Sequence, residues 1–209
     1  MKVMLVNGSP HKEGCTYTVL TEIAKVLNEE KIDTEIFWTG NKPVSGCIGC
    51  NGCDEADCCI LDDTSIISDF LNAAQNADGF IFGTPVHYAA ASGTITSFLD
   101  RVFYSDGKKT FYLKPGAAVA IARRAGTTAT LDQMNKYFTI SQMPVISSRY
   151  WNMVHGAKPE DIKKDAEGIY TMRVLARNMT YFLKCKEAGE RAGIELPKEE
   201  QPSWTNFIR

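Results

Sequence analysis

Two stretches of this 209-residue chain hold residue types that do chemistry, and the denser is a run of cysteines. Seven cysteines are present, and five of them, Cys47, Cys50, Cys53, Cys58 and Cys59, fall between positions 47 and 59. The Cys47-x2-Cys50-x2-Cys53 run lets one loop wrap three thiolates around a small iron–sulfur cluster, and a fourth thiolate nearby completes the ligands. Gly46, Gly49 and Gly52 are interleaved and leave the backbone free to curl. Four thiolates are also an ordinary zinc site, and a compact loop without metal is the third reading. Cys15 and Cys185 stand apart and are expected to be unligated.

The second stretch is Gly8-Ser9-Pro10-His11-Lys12-Glu13-Gly14-Cys15-Thr16. It follows a short apolar run and precedes a helical pattern, so a helix N-terminus with its partial positive charge opens there. The glycines let backbone N–H groups turn inward, Ser9 and Thr16 add hydroxyls, and Lys12 adds a mobile cation. The chemistry is that of a monophosphate cradle. Neither a GxxxxGK[ST] loop nor a GxGxxG dinucleotide turn is present, and a Cys-x5-Arg phosphatase loop is absent as well.

These loops need elements to position them. Apolar runs predict strands at 2–7, 34–39, 79–84, 117–122 and 144–149. Helical spacing predicts helices after position 16 and at 66–75, 94–104 and 129–140, with a long helix from Pro159 to about 192, interrupted near Gly168. Residues 41–64 break all periodicity and form a Cys-rich insertion in one domain of residues 1–193; an irregular tail, 194–209, follows. Strands alternating with helices imply a parallel sheet covered on both faces. Five such strands give the order 2-1-3-4-5, with ligands beyond the carboxyl ends at the switch between strands 1 and 3. That rule points to residues 8–17 and 84–93.

Asn7-Gly8-Ser9-Pro10 followed by Gly14-Cys15-Thr16 resembles the GSPR-x-x-(S/G)-N-T phosphate loop of the NADPH-dependent FMN reductase family. Cys15 stands where Asn is usual and His11 where Arg is usual. Phe82-Gly83-Thr84-Pro85-Val86-His87-Tyr88 resembles the family's second flavin loop, and Ser92-Gly93-Thr94-Ile95 with Phe98-Leu99-Asp100-Arg101 resembles its next helix. The resemblance spans residues 1 to about 150 and implies a flavodoxin-like α/β fold, a three-layer α/β/α sandwich that binds FMN. On the first loop it places FMN against Ser9, His11, Lys12, Gly14, Cys15, Thr16 and Tyr17, with the phosphate on Ser9, Lys12, Gly14, Cys15 and Thr16. On the second loop it places FMN against Thr84, Pro85, Val86, His87, Tyr88, Ser92 and Gly93, with the ring on Pro85, Val86, His87 and Tyr88 and with Arg123, Ala125 and Gly126 at its pyrimidine edge. Asp100 and Arg101 are expected to form a local ion pair.

The cysteine spacing is similar to that of the iron–sulfur flavoproteins, a branch of the same family. The resemblance implies a [4Fe–4S] cluster on Cys47, Cys50, Cys53 and Cys59, with Cys59 preferred to Cys58 because it falls at the matching position. Cluster-free relatives keep a similar cysteine loop, and Cys59-Ile60-Leu61-Asp62-Asp63 fits their pattern too. The implied activity is oxidoreduction at FMN, linked to NAD(P)H or to a reduced protein such as ferredoxin, with no side chain named as catalytic. The alternatives are a cluster-free NAD(P)H:FMN or quinone reductase, a flavodoxin-like carrier without enzymatic activity, and a zinc-stabilised module without flavin.

A net charge of −2 gives no reason to expect nucleic acid or an anionic membrane as partner. The N-terminal apolar run is too short for an export signal, and no apolar stretch approaches the ~18 residues of a membrane span, so a cytoplasmic location is expected. Relatives imply a homodimer or homotetramer. Trp38, Trp151 and Trp204 are expected in the core or at an interface.

Overall fold

The first strand, β1 (Lys2–Asn7), is buried at five of its six positions. Such a strand has both faces covered, which is the condition for a parallel sheet. It pairs in parallel with β2 (Asp33–Trp38) on one side and β3 (Gly79–His87) on the other. Next come β5 (Gly116–Ala122), buried throughout, and β6 (Met153–His155), giving the order β2-β1-β3-β5-β6. A two-residue strand, β4 (Ala90–Ala91), adds antiparallel to the end of β3. The computed structural model describes residues 1–209 except 57, 62–63, 107–108, 199, 201–202, 204 and 206–209.

Helices α1 (Cys15–Glu29), α6 (Pro159–Ile162) and α7 (Ala166–Arg191) cover one face of the sheet. Their apolar sides meet in a core that includes Leu20, Ile23, Leu27, Leu175 and Met179. On the other face lie α3 (Ile66–Ala74), α4 (Gly93–Asp106) and α5 (Thr127–Ile140). That core is aromatic: Phe70, Phe80, Phe82, Phe98, Phe103, Phe111 and Phe138 are all buried. Phe103 and Phe111 stack with centroids 4.5 Å apart, and Phe70 meets Phe98 edge-on at 5.1 Å. The three layers and the order of the parallel strands are those the sequence predicts.

Three local expectations are corrected. The fifth parallel strand is 153–155, not 144–149. Pro144 cannot donate to a ladder, and Val145 makes only a single bridge to Gly116. The chain then turns outward, with Ser148 Oγ donating to Tyr150 O at 2.6 Å. Secondly, β3 runs past residue 84 to His87, because Val86 and His87 pair with Ala91 and Ala90 in a hairpin turned by Tyr88 at φ 64°. The predicted loop 84–93 is therefore largely ladder. Thirdly, the C-terminal helix is two helices, and the interruption expected near Gly168 falls at 163–165.

Asp165 explains that break. Its Oδ1 accepts from Gly168 N at 2.9 Å, capping α7, and its Oδ2 accepts from His155 N at 2.7 Å, fixing the end of β6. A Cβ on Gly168 would run into the same carboxylate. Losing a cap and a second bond to one carboxylate costs about 1–2 kcal/mol or somewhat more. Asp165→Ala is expected to lower the unfolding free energy by about 2 kcal/mol, read by urea denaturation with an unchanged m-value.

Candidate functional site

Asn7 closes β1 and shapes the loop that follows. It is fully buried; its Oδ1 accepts from Ser9 N at 3.1 Å and its Nδ2 donates to Lys12 O at 3.0 Å. Trp38, at the end of β2, donates from Nε1 to Ser9 O at 2.8 Å, and the Lys12 ammonium stands 5.8 Å from its ring centroid. Trp38 is thus a strut under the loop. Gly14 is the N-cap of α1 and has no side-chain cap, so the first-turn N–H groups face outward without the usual partner. Thr16 Oγ1 is the telling atom. The residue is 1% exposed, and the hydroxyl has no hydrogen-bond partner among the described residues. A buried, unsatisfied hydroxyl costs about 1–3 kcal/mol, and an anion at this helix N-terminus would satisfy it.

The second loop locks onto the first. Gly8 N donates to Gly83 O at 2.9 Å. Ser92, fully buried, donates from Oγ to Gly8 O at 3.0 Å and from its N–H to Thr84 Oγ1 at 3.3 Å. A Cβ on Gly8 would lie 2.8 Å from Ile95, and one on Gly83 would lie 2.9 Å from Thr16 Cγ2. Pro85 and Val86 are half-buried, His87 and Gly93 are exposed, and Tyr88 is fully exposed. The third loop joins them: Gly126, at φ +93°, has no room for a Cβ, which would meet Val86 Cγ1 at 2.7 Å. Arg123 and Ala125 are exposed beside it.

The three loops therefore form one carboxyl-edge surface. Ser9, Gly14 and Thr16 lie at the α1 terminus, while Pro85, Val86 and Gly126 make an apolar patch next to it. His11 and Lys12 are exposed at the rim. Tyr17 is half-buried in the first turn of α1. Cys15 turns the other way, its Sγ 3.9 Å from Gly156 O, and burial pushes its thiol up from the usual value.

The cysteine segment forms a separate site. Gly52–Ala56 forms a short helix, α2, inside it. Cys47, Cys50, Cys53 and Cys59 line one small cavity, together with Ile60, Leu61 and Tyr104. Cys58 does not join them; it is exposed and lines another groove with Leu71 and Asn72. All seven cysteines are free thiols. Burial pushes the Cys53 thiol up, and the neighbouring Asp54, Cys50 and Cys59 push it further. Among the described residues no group of three or more His, Cys, Asp or Glu is arranged to hold a metal ion. A single zinc would draw every Sγ to about 2.3 Å from one centre, whereas each thiolate of a cluster binds its own iron. Four thiols around one cavity are the donor set that either centre would use.

Asp100 and Arg101 do not form the expected ion pair. Adjacent helical residues point about 100° apart. Asp100 accepts from the Tyr137 hydroxyl, which burial first and this carboxylate second push up from its usual value. Arg101 is buried and reaches the cysteine site, donating from Nε to Cys59 Sγ at 3.3 Å. Asn7, Trp38 and Arg101 were not among the expected site residues. A polar Asn closing an apolar strand was a readable signal for the first; nothing in the pattern marked the other two. Asp62, Asp63 and Trp204 lie outside the described residues.

Comparison with known proteins agrees with this geometry. The family model for NADPH-dependent FMN reductase matches residues 1–158. An iron-sulfur flavoprotein of Methanocaldococcus jannaschii is 32% identical over 192 residues, covering 88% of this chain and 98% of that protein. Two solved structures share the fold. The NAD(P)H:acceptor oxidoreductase FerB of Paracoccus denitrificans has a TM-score of 0.62 at 14% identity, covering 88% of this chain and 97% of that one. A flavodoxin from the domain Archaea has a TM-score of 0.59 at 11% identity, covering 88% and 99%. With a family match over three quarters of its length, the chain belongs to the NADPH-dependent FMN reductase family of flavin-dependent oxidoreductases.

Proposed function

We propose that this protein is an FMN-dependent electron-transfer oxidoreductase that also carries a [4Fe–4S] cluster. The observation that carries the proposal is the segregation of the thiols: Cys47, Cys50, Cys53 and Cys59 share one cavity and Cys58 is left outside. The name of the Methanocaldococcus relative, an iron-sulfur flavoprotein similar over nearly its whole length, supports the same reading.

Ser9, Thr16 and the first-turn N–H groups of α1 would hold the FMN phosphate, with Lys12 as mobile countercharge. Pro85 and Val86 offer the apolar shelf for the ring, and the backbone around Gly126 faces its polar edge. FMN, when bound, accepts hydride and can release electrons singly. The chain's part is position and electrostatics, and no side-chain acid or base is assigned to the chemistry. The donor is NAD(P)H or a reduced protein such as ferredoxin, and the acceptor is the cluster or a small molecule. We place the protein in the cytoplasm, where thiols stay reduced, as a homodimer or homotetramer. Among the described residues no helix is long and apolar enough to cross a membrane.

Anaerobic purification, assayed for FMN, iron and acid-labile sulfide, is the direct test: about one FMN with about four iron and four sulfide per chain is expected. FMN without iron would reduce the proposal to a cluster-free reductase with a thiol loop. Cys53→Ser is expected to strip the iron and keep the flavin. Replacing Thr16 by Val removes a hydrogen bond to a charged group, worth about 1.5–3 kcal/mol. FMN affinity should then fall roughly ten- to hundredfold in a fluorescence titration; unchanged affinity for the Ser9→Ala/Thr16→Ala pair would sink the phosphate assignment.

A further inference from the structure

Among the described residues Arg101 is the largest fully buried side chain, 1% exposed, on the middle of α4. Its guanidinium ties down both ends of the cysteine segment: Nε donates to Cys59 Sγ at 3.3 Å and Nη1 donates to Ser45 Oγ at 3.4 Å. Ser45 lies two residues before Cys47, and Cys59 is the last of the four thiols in the cavity. A guanidinium stays charged at any working pH and presents its donors in a rigid fork. One side chain therefore selects a sulfur and places a fixed positive charge against it, while the adjacent Cys58 faces a different groove.

We infer that Arg101 is a positioning residue for the cluster: it presents Cys59 rather than Cys58 as the fourth ligand, and its hydrogen bond and charge on that sulfur raise the cluster's reduction potential. The inference rests on the cluster reading above. Reduction adds one electron to the cluster, with no bond made or broken and no proton moved, and the electron comes from the flavin side or from a reduced protein. The added negative charge is stabilised by the neighbouring guanidinium more than the oxidised form is, and hydrogen bonds to cluster sulfurs act in the same direction.

The test uses anaerobically purified wild type, Arg101→Met, Arg101→Lys, Cys58→Ser and Cys59→Ser. Each is assayed for FMN, iron and sulfide, with the cluster potential read by an EPR-monitored titration and the flavin potential by absorbance in the same sample. Arg101→Met should make cluster reduction at least tenfold less favourable, a fall of about 59 mV for one electron, with the flavin potential unmoved. Arg101→Lys should fall between Met and wild type, Cys58→Ser should match wild type, and Cys59→Ser should lose iron. Should Arg101→Met lack iron while retaining FMN and a wild-type circular dichroism spectrum, the positioning role stands. Loss of both cofactors would make Arg101 merely structural and overturn it. A wild-type potential in Arg101→Met, or iron lost in Cys58→Ser and kept in Cys59→Ser, overturns it too while leaving the cluster reading intact. Wild type without iron overturns that reading, and this inference with it.

Discussion

The approach of the β1 and β3 loops at the switch point is the constraint on which the candidate flavin site depends. Parallel pairing brings Asn7 beside Gly83, and one step further the Gly8 N–H reaches the Gly83 carbonyl. No side chain fits between the loops at either glycine, since Ile95 and Thr16 already occupy the space. The Ser92 hydroxyl on Gly8 O then fixes the second loop against the first. The first turn of α1 is consequently held with its N–H groups outward and Thr16 Oγ1 buried without a partner. The backbone of that turn is thereby ordered before any ligand arrives, which lowers the ordering cost of binding.

The helix that starts at this lock also supports the second site. Ile95, in the first turn of α4, packs against Gly8; further along, Ser97 faces Gly46, Arg101 reaches Ser45 and Cys59, and the Tyr104 hydroxyl donates to Asn51 Oδ1 at 2.8 Å. From Gly93 to Arg101 the helix rises roughly 12 Å. A rigid element thus spaces the flavin loops from the cysteine cavity, and its buried face is anchored in the phenylalanine core through Phe98, Val102 and Phe103. Changes in that core would be felt at both sites, because interiors transmit strain rather than absorb it.

Much of this was legible in the sequence, for identifiable reasons. Apolar or alternating runs marked four of the five parallel strands, and the glycines at 8, 14 and 126 marked loops where backbone must approach a partner. The fifth strand was misplaced because 153–155 is only three residues long and follows Trp151 and Asn152, so no apolar run announces it. Pro144–Ile146 carries the stronger pattern but meets the sheet at a single bridge. The hairpin at Tyr88 was hidden because it needs a positive φ at a bulky residue, which local propensity argues against. The sequence suggests a local pair for Arg101 because the partners it reaches among the described residues lie 42 and 56 positions away in the chain. Spacing rules see one element at a time, and such a contact exists only once two elements are packed.

The two candidate sites also differ in what holds them. The phosphate loop grows out of a buried strand and a buried helix face, so its geometry is inherited from the core. The cysteine segment has little core of its own: Ile48 and Ile60 are exposed, α2 has no buried residue, and its fixed points are side-chain bonds to α4. A segment of that kind gains most of its order from whatever binds its thiols, since the binding free energy of a metal centre is then local folding free energy. Loss of the cluster proposed above would then be a local event that leaves the β1 and β3 loops standing.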